Sequence, residues 1–576
     1  MKTLRVILKM SCKSGVLIGR VGEESTPYTV QIVSRYPIPL GTYVTIPFEA
    51  YDISTGERKK HCAIGVVSLT SYKKLIQTTP TFIAASTHIG IEDENLRYAP
   101  SRARIFADII DDSILTPTVP PNPDADVYLA SSAILSKIFS TQTSSSIRIG
   151  HVIGRPDVEV RVDINALTKH LFITGTTGSG KSNTVAILAE RIAEIGGTAI
   201  VIDVHGEYVN LTPSSSEVLV QPIDFMFNPL KIPPKLLARM IIPEAGATIQ
   251  RSLTAKALQI VNAITEVLMK VYGVVGDKLG VIPNTDNDLK MLKNEILKYI
   301  PEDIRNEAKN YVNTVVDIIA KSENLIEGYK NAVINLILSK GGNEDSGRKA
   351  QSKADEFFES IPINFSSPTI TELIRPSTII VINISELPDE QKDYSVKILL
   401  DEILNHARSR TMQGSPLPVV VFVEEAHRFI SSTRTTVSRT SIERVAREGR
   451  KFGVSLAIVS QRPRNLDPNI VSQIQNFVLM KLVQEEDQKF VVNVSDALTE
   501  DIASSLAALN TGEAILLGEW ISRFPVYVKI DKHTGKKLGT TLDIASIWKS
   551  LKERSDSLKN LAKSSDDLYK ELTGII

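Results

Sequence analysis

Residues 175–182 read Gly175-Thr176-Thr177-Gly178-Ser179-Gly180-Lys181-Ser182, and no other stretch restricts the fold so tightly. A G-x-x-x-x-G-K-[ST] loop works only between a strand and a helix, where its backbone N–H groups can curl around a chain of phosphates. Both flanks are present. Leu171-Phe-Ile-Thr174 leads in as a short apolar run, and Asn183-Thr-Val-Ala-Ile-Leu-Ala-Glu190 leads out as a helix former. The helix N-terminus adds the positive end of its dipole to the same place. Lys181 is expected to reach the β- and γ-phosphates of ATP and Ser182 to hold Mg²⁺. Gly175, Thr177, Gly178, Ser179, Gly180 and Asn183 complete the expected cradle.

The loop implies an α/β core, and the rest of the chain supplies one. Thr198–Asp203, Thr378–Asn383, Val419–Val423 and Ser455–Ser460 are short, almost wholly apolar runs separated by helical stretches, the pattern of a mostly parallel sheet. Residues 1–148 differ. Gly15–Val21, Tyr28–Val33, Thr42–Ile46 and Ala63–Val67 are β-branched and closely spaced, which predicts a small N-terminal β-barrel. We expect the core in two parts, 149–232 and 369–540, around a helical insertion at 233–368. Within that insertion Leu258–Leu268 and Tyr311–Ile319 have helical spacing. Leu551, Leu558, Leu561, Leu568 and Leu572 predict a helical tail over 541–576 that packs on its own subunit or on a neighbour.

A chain of 576 residues accommodates about three or four domains at ~150 residues each. Lys+Arg and Asp+Glu each total 66, so net charge announces no nucleic-acid partner, although a local basic surface remains open. No apolar run approaches the ~20 residues of a membrane span. The charged start, Met1-Lys-Thr-Leu-Arg, does not read as a signal peptide. The expectation is a cytoplasmic protein without a membrane partner, whose two cysteines, Cys12 and Cys62, are unrelated reduced thiols.

The second half of a catalytic site follows the run Val419–Val423. Glu424 and Glu425 stand at its end, where open α/β sheets bind ligands. Glu424 is expected to orient the Mg²⁺ shell and Glu425 to polarise the attacking water. Gln461, at the end of Ser455–Ser460, is placed to sense the γ-phosphate or that water. Arg447 and Arg450 are candidates to reach a neighbour's nucleotide. The hydroxyl-rich stretch Arg428–Arg439, with Arg434 and Arg439, suits phosphate contacts to DNA. No guanine-reading Asn-Lys-x-Asp motif occurs, which weighs against a GTPase.

Four segments carry a family resemblance: Gly175–Asn183, Ile202-Asp-Val-His205-Gly-Glu207-Tyr208, Phe422–His427, and Arg447–Gly453 with Ser460-Gln-Arg-Pro463. Together they resemble the HerA branch of the HerA/FtsK ATPases, over roughly residues 10–535. The resemblance implies a RecA-like core and a homo-hexameric, ATP-driven translocase and helicase on double-stranded DNA that works with a NurA-like nuclease in end resection. It further implies that Lys169 lies near the nucleotide and that Lys529 and Ile530 close the pocket. Two other readings fit such a core: a conjugation- or secretion-type DNA pump, and an ATP-switched assembly platform for an effector enzyme.

Overall fold

The computed structural model describes residues 12–535 and 544–553, apart from 53–55, 75–96, 112, 141–142, 245, 276–277, 280–285 and 341–343. Of the expected tail, residues 544–553 are helical and the remainder lies outside the described residues.

Eleven strands form the central sheet, and its order explains where chemistry can occur. From one edge they run 155–163, 146–152, 522–530, 513–518, 476–479, 171–174, 454–460, 419–423, 198–203, 378–383 and 219–224. The last seven are mutually parallel, and the first four join them antiparallel. The strand before the P-loop sits inside the parallel set, paired on both sides. Every residue of Leu171–Thr174, Thr198–Asp203, Val419–Val423 and Val454–Ser460 is buried. Strands covered on both faces need continuous apolar runs, which is why these four were readable. Each fully buried Val, Ile or Phe contributes roughly 1.5–3 kcal/mol relative to exposure.

The helix after the P-loop, Lys181–Glu194, buries Val185, Ala186, Leu188, Ala189 and Ile192 against the sheet. A second helix, Arg439–Phe452, lies in the chain between strands 419–423 and 454–460 and buries Ile442, Val445 and Ala446. The His170 ring pins that helix in place. Its Nδ1 accepts from the Leu456 N–H at 3.0 Å, so Nε2 carries the proton and donates to the Ala446 carbonyl at 2.9 Å. Burial lowers the pKa of this imidazole, which stays neutral in the fold. Between Leu219–Asp224 and Thr378–Asn383 the described chain is mainly helical, led by the 25-residue helix Thr248–Tyr272.

Ahead of the core, six antiparallel strands close into a barrel: 29–34, 17–25, 126–129, 43–51, 58–70 and 97–110, with the last pairing back to the first. Val21, Ile32, Val44, Ile46, Val67 and Val127 fill its interior. The barrel is tied to the core at one strand in particular. Tyr527 donates its N–H to the Tyr43 hydroxyl at 3.1 Å, and its own hydroxyl meets Ser505 at 2.9 Å.

The expectation of two unrelated thiols fails here: Cys12 and Cys62 form a disulfide with Cα atoms 5.8 Å apart. They are 50 residues apart in sequence, but Thr45 donates to the Cys12 carbonyl at 2.8 Å. That contact lays the leading segment across the strand paired with Cys62. Among the described residues no helix is long and apolar enough to cross a membrane.

Candidate active site

Four neighbouring parallel strands, 171–174, 454–460, 419–423 and 198–203, end on one edge of the sheet, so the residues after them converge. The P-loop supplies the first group. Gly178 and Gly180 have φ of 77° and 112°, a left-handed geometry that disfavours side chains. The Lys181 ammonium donates to the carbonyls of Gly175 at 2.9 Å and Thr176 at 3.0 Å, folded back over its own loop. Burial lowers its pKa, while Glu425, Glu424 and Glu207 act in the opposite sense.

Glu425 follows the strand tip with φ of 45°, a strained conformation for a residue with a side chain. Its Oε1 accepts from the Gln461 amide, whose oxygen in turn accepts from the Thr177 hydroxyl. A continuous hydrogen-bond chain thus links the P-loop to the carboxylate. His427 Nδ1 stands 3.1 Å from Glu425 Oε2 and His205 Nε2 3.8 Å from Oε1. The His427 approach lacks hydrogen-bonding geometry, and Oε2 is buried without a hydrogen-bond partner. Glu425 therefore ends a hydrogen-bond chain that begins in the P-loop, with the His427 imidazole against its second oxygen.

Glu424 points elsewhere. Its Oε1 accepts the Tyr208 hydroxyl, and burial pushes its carboxyl well above the usual carboxylate range. The turn after Thr198–Asp203 brings Tyr208 there. Asp203, fully buried, accepts four consecutive backbone N–H groups: His205 at 3.2 Å, Gly206 at 2.8 Å and Glu207 at 3.1 Å on Oδ1, and Tyr208 at 2.8 Å on Oδ2. The same turn sets Glu207 Oε2 2.6 Å from the Ser182 hydroxyl that donates to it.

From the far side, the segment 510–533 closes over the P-loop. Thr511 donates to the Gly178 carbonyl at 3.1 Å, and the Gly512 N–H donates to the Ser179 carbonyl at 2.7 Å. Ile530 donates its N–H to the Gly512 carbonyl at 2.9 Å, and Lys529 holds the Thr511 carbonyl at 2.7 Å. Asn183 is clamped between the Asp531 carbonyl and the His533 N–H.

Lys181, Ser182, Asn183, Glu424, Glu425, Gln461, Lys529 and Ile530 therefore share one region, whereas other expected residues stand apart. Lys169 precedes the strand whose far end carries the P-loop, roughly 13 Å away at ~3.3 Å per residue, and it pairs with Glu519. Arg447 pairs with Glu443 at 2.7 Å on the exposed face of its helix. Arg450 is exposed one turn later, with no partner among the described residues. Arg434 is exposed, but Arg439 is held by the nearly buried Asp467 and is not free for phosphate. Sequence reasoning gave no task to His205, Tyr208 or His427. The signal that could have found them was a polar string directly after an apolar strand.

The family model described as "Helicase HerA, central domain" matches residues 147–403. Three curated proteins called "DNA double-strand break repair helicase HerA" are similar over most of their length. That of Sulfurisphaera tokodaii is 33% identical, covering 93% of this chain and 97% of its own. That of Saccharolobus solfataricus is 30% identical, covering 95% and 98%. That of Sulfolobus acidocaldarius is 34% identical, covering 77% and 80%.

Proposed function

This chain belongs to the HerA helicase family, and from that premise we propose that it is a homo-hexameric, ATP-dependent translocase on double-stranded DNA that works with a NurA-like nuclease in end resection. The observation that carries the ATPase half is the chain Thr177–Gln461–Glu425, which joins the phosphate cradle to a carboxylate. Lys181 binds the β- and γ-phosphates, and Glu425 accepts the proton of the attacking water. Gln461 reports on the γ-phosphate through Thr177. Mg²⁺ neutralises phosphate charge when bound, and the Ser182 hydroxyl beside a carboxylate suits it. Because a ring places its nucleotides between subunits, Arg450, without a partner among the described residues, is the proposed finger, with Arg447 behind it, and Lys169 would act on a neighbour's site.

In this reading the barrel, residues 1–148, docks the nuclease and braces the ring, while residues 149–232 and 369–540 are the motor. The insertion 233–368 and the tail 541–576 complete the subunit, with Arg434 on the DNA path. On the same reading the protein works in the cytoplasm, where the Cys12–Cys62 disulfide is an exception to the usual reduced state. The test is ATP turnover with and without duplex DNA, alongside native mass. Duplex-stimulated turnover by a six-chain species is expected. ATP-dependent capture of a protein effector without any DNA stimulation would overturn the translocase reading in favour of an assembly platform.

A further inference from the structure

In the string Asp203–Tyr208 the mechanism above uses only the carboxylate of Glu207 beside Ser182, and leaves Asp203 and Tyr208 without a task. Its geometry supplies one. Three glutamates surround Lys181 at the P-loop helix start, and besides Glu425 the other two are differently engaged. Glu424 is buried, with Oε1 taken by the Tyr208 hydroxyl. Glu207 is half-buried and bonded directly to the Ser182 hydroxyl, the group a P-loop offers to the metal.

Mg²⁺ with a nucleotide keeps several waters and takes only one or two protein groups beside the phosphates. It needs an accessible oxygen donor next to Ser182, and Glu207 offers one while Glu424 is occupied and enclosed. We propose that Glu207, with Ser182, holds the Mg²⁺ shell of the bound nucleotide, and that Glu424 is a positioning residue locked by Tyr208. Asp203 is the reason this works. By gathering four N–H groups it fixes the turn, so one buried carboxylate sets both the Glu207–Ser182 and the Tyr208–Glu424 contacts. The strand tip carrying Glu424 and Glu425 is then divided: one glutamate holds the wall and the other faces the reaction.

This inference rests on the ATPase reading, and its test separates the two. Binding of a fluorescent ATPγS to the full-length protein is measured against Mg²⁺ concentration and in EDTA, so that no turnover is needed. Glu207→Gln is expected to raise the Mg²⁺ required for half-maximal tightening by about tenfold or more, with binding in EDTA unchanged. Glu207→Asp should recover part of the shift, and Glu424→Gln should leave the Mg²⁺ dependence parental. A parental Mg²⁺ dependence in Glu207→Gln overturns the proposal. So does an equal shift in Glu424→Gln, or loss of EDTA binding in Glu207→Gln, which would mark Glu207 as structural. Failure of the parent itself to bind nucleotide would instead sink the ATPase reading.

Discussion

Asp203→Asn probes the turn that organises the site, and the structure fixes what it should do. The substitution keeps one carbonyl oxygen for the N–H groups of His205, Gly206 and Glu207. It replaces the oxygen that receives the Tyr208 N–H at 2.8 Å with an amide, so donor faces donor. A hydrogen bond to a charged group is worth about 1.5–3 kcal/mol, and the site is wholly buried, so no water replaces it. Local opening of the turn should become easier by that amount, which is roughly 10–150-fold in amide exchange at 1.36 kcal/mol per decade. Hydrogen exchange read by mass spectrometry on the peptide covering 203–208 is the assay, because a local free energy survives in a chain too large for a two-state transition. Tyr208 should lose most protection, and turnover should fall as Glu207 and Tyr208 leave Ser182 and Glu424. ATP binding in EDTA should persist, since the P-loop is untouched. If exchange at 203–208 stayed parental while turnover collapsed, the role assigned to the turn would be refuted and Asp203 would act on the reaction directly.

Glu425→Gln should bind ATP as the parent does and hydrolyse it ~10²–10⁴-fold more slowly; turnover at the parental rate would move the base elsewhere. Mixing Lys181→Ala subunits with Arg450→Ala subunits should restore part of an activity that each alone loses, the finger being worth ~10³-fold or more. Failure of every mixture, with subunit exchange proven, would exclude Arg450. Arg434→Ala should reduce the log–log salt slope of duplex binding by about 0.9, the share of a single neutralised phosphate, and an unchanged slope places the DNA path elsewhere. His170 is held neutral by burial, so its share of stability is present above the unfolded-state pKa near ~6.5. That share is lost as pH falls from there through the lowered folded value, at no more than about 1.4 kcal/mol per pH unit. Thermal midpoints at pH 7 and 5.5, at fixed chain concentration, should converge partly in His170→Gln; an identical pH response would refute the assignment.

How far the sequence could be read depended on what each residue had to satisfy. The four catalytic strands were legible because burial on both faces demands unbroken apolar runs. Strand Asn476–Leu479 was not, because it opens with a polar residue. Asn476 is wholly buried, and its amide donates to the Ala166 and His170 carbonyls. That satisfaction exists only in three dimensions. The expected boundary at 148 cuts strand 146–152, which continues the β-branched, closely spaced pattern of the barrel, although the strand pairs with 155–163 in the central sheet.

Charge was the least legible property. A hydroxyl-rich loop with two arginines reads the same whether they are free or committed, and the partner that commits Arg439 lies 28 residues further along, at Asp467. Position at a strand tip likewise could not separate Glu424 from Glu425. One peptide unit turns the second into left-handed backbone and brings it to Gln461, while Tyr208, 216 residues away, claims the first. The two glutamates are equivalent in sequence and differently engaged in the fold, Glu424 by Tyr208 and Glu425 by Gln461, and Asp203 fixes the turn that brings Tyr208 there. Pattern locates the edge of the sheet where chemistry happens, whereas the division of labour along that edge is set by hydrogen bonds between segments that the sequence holds far apart.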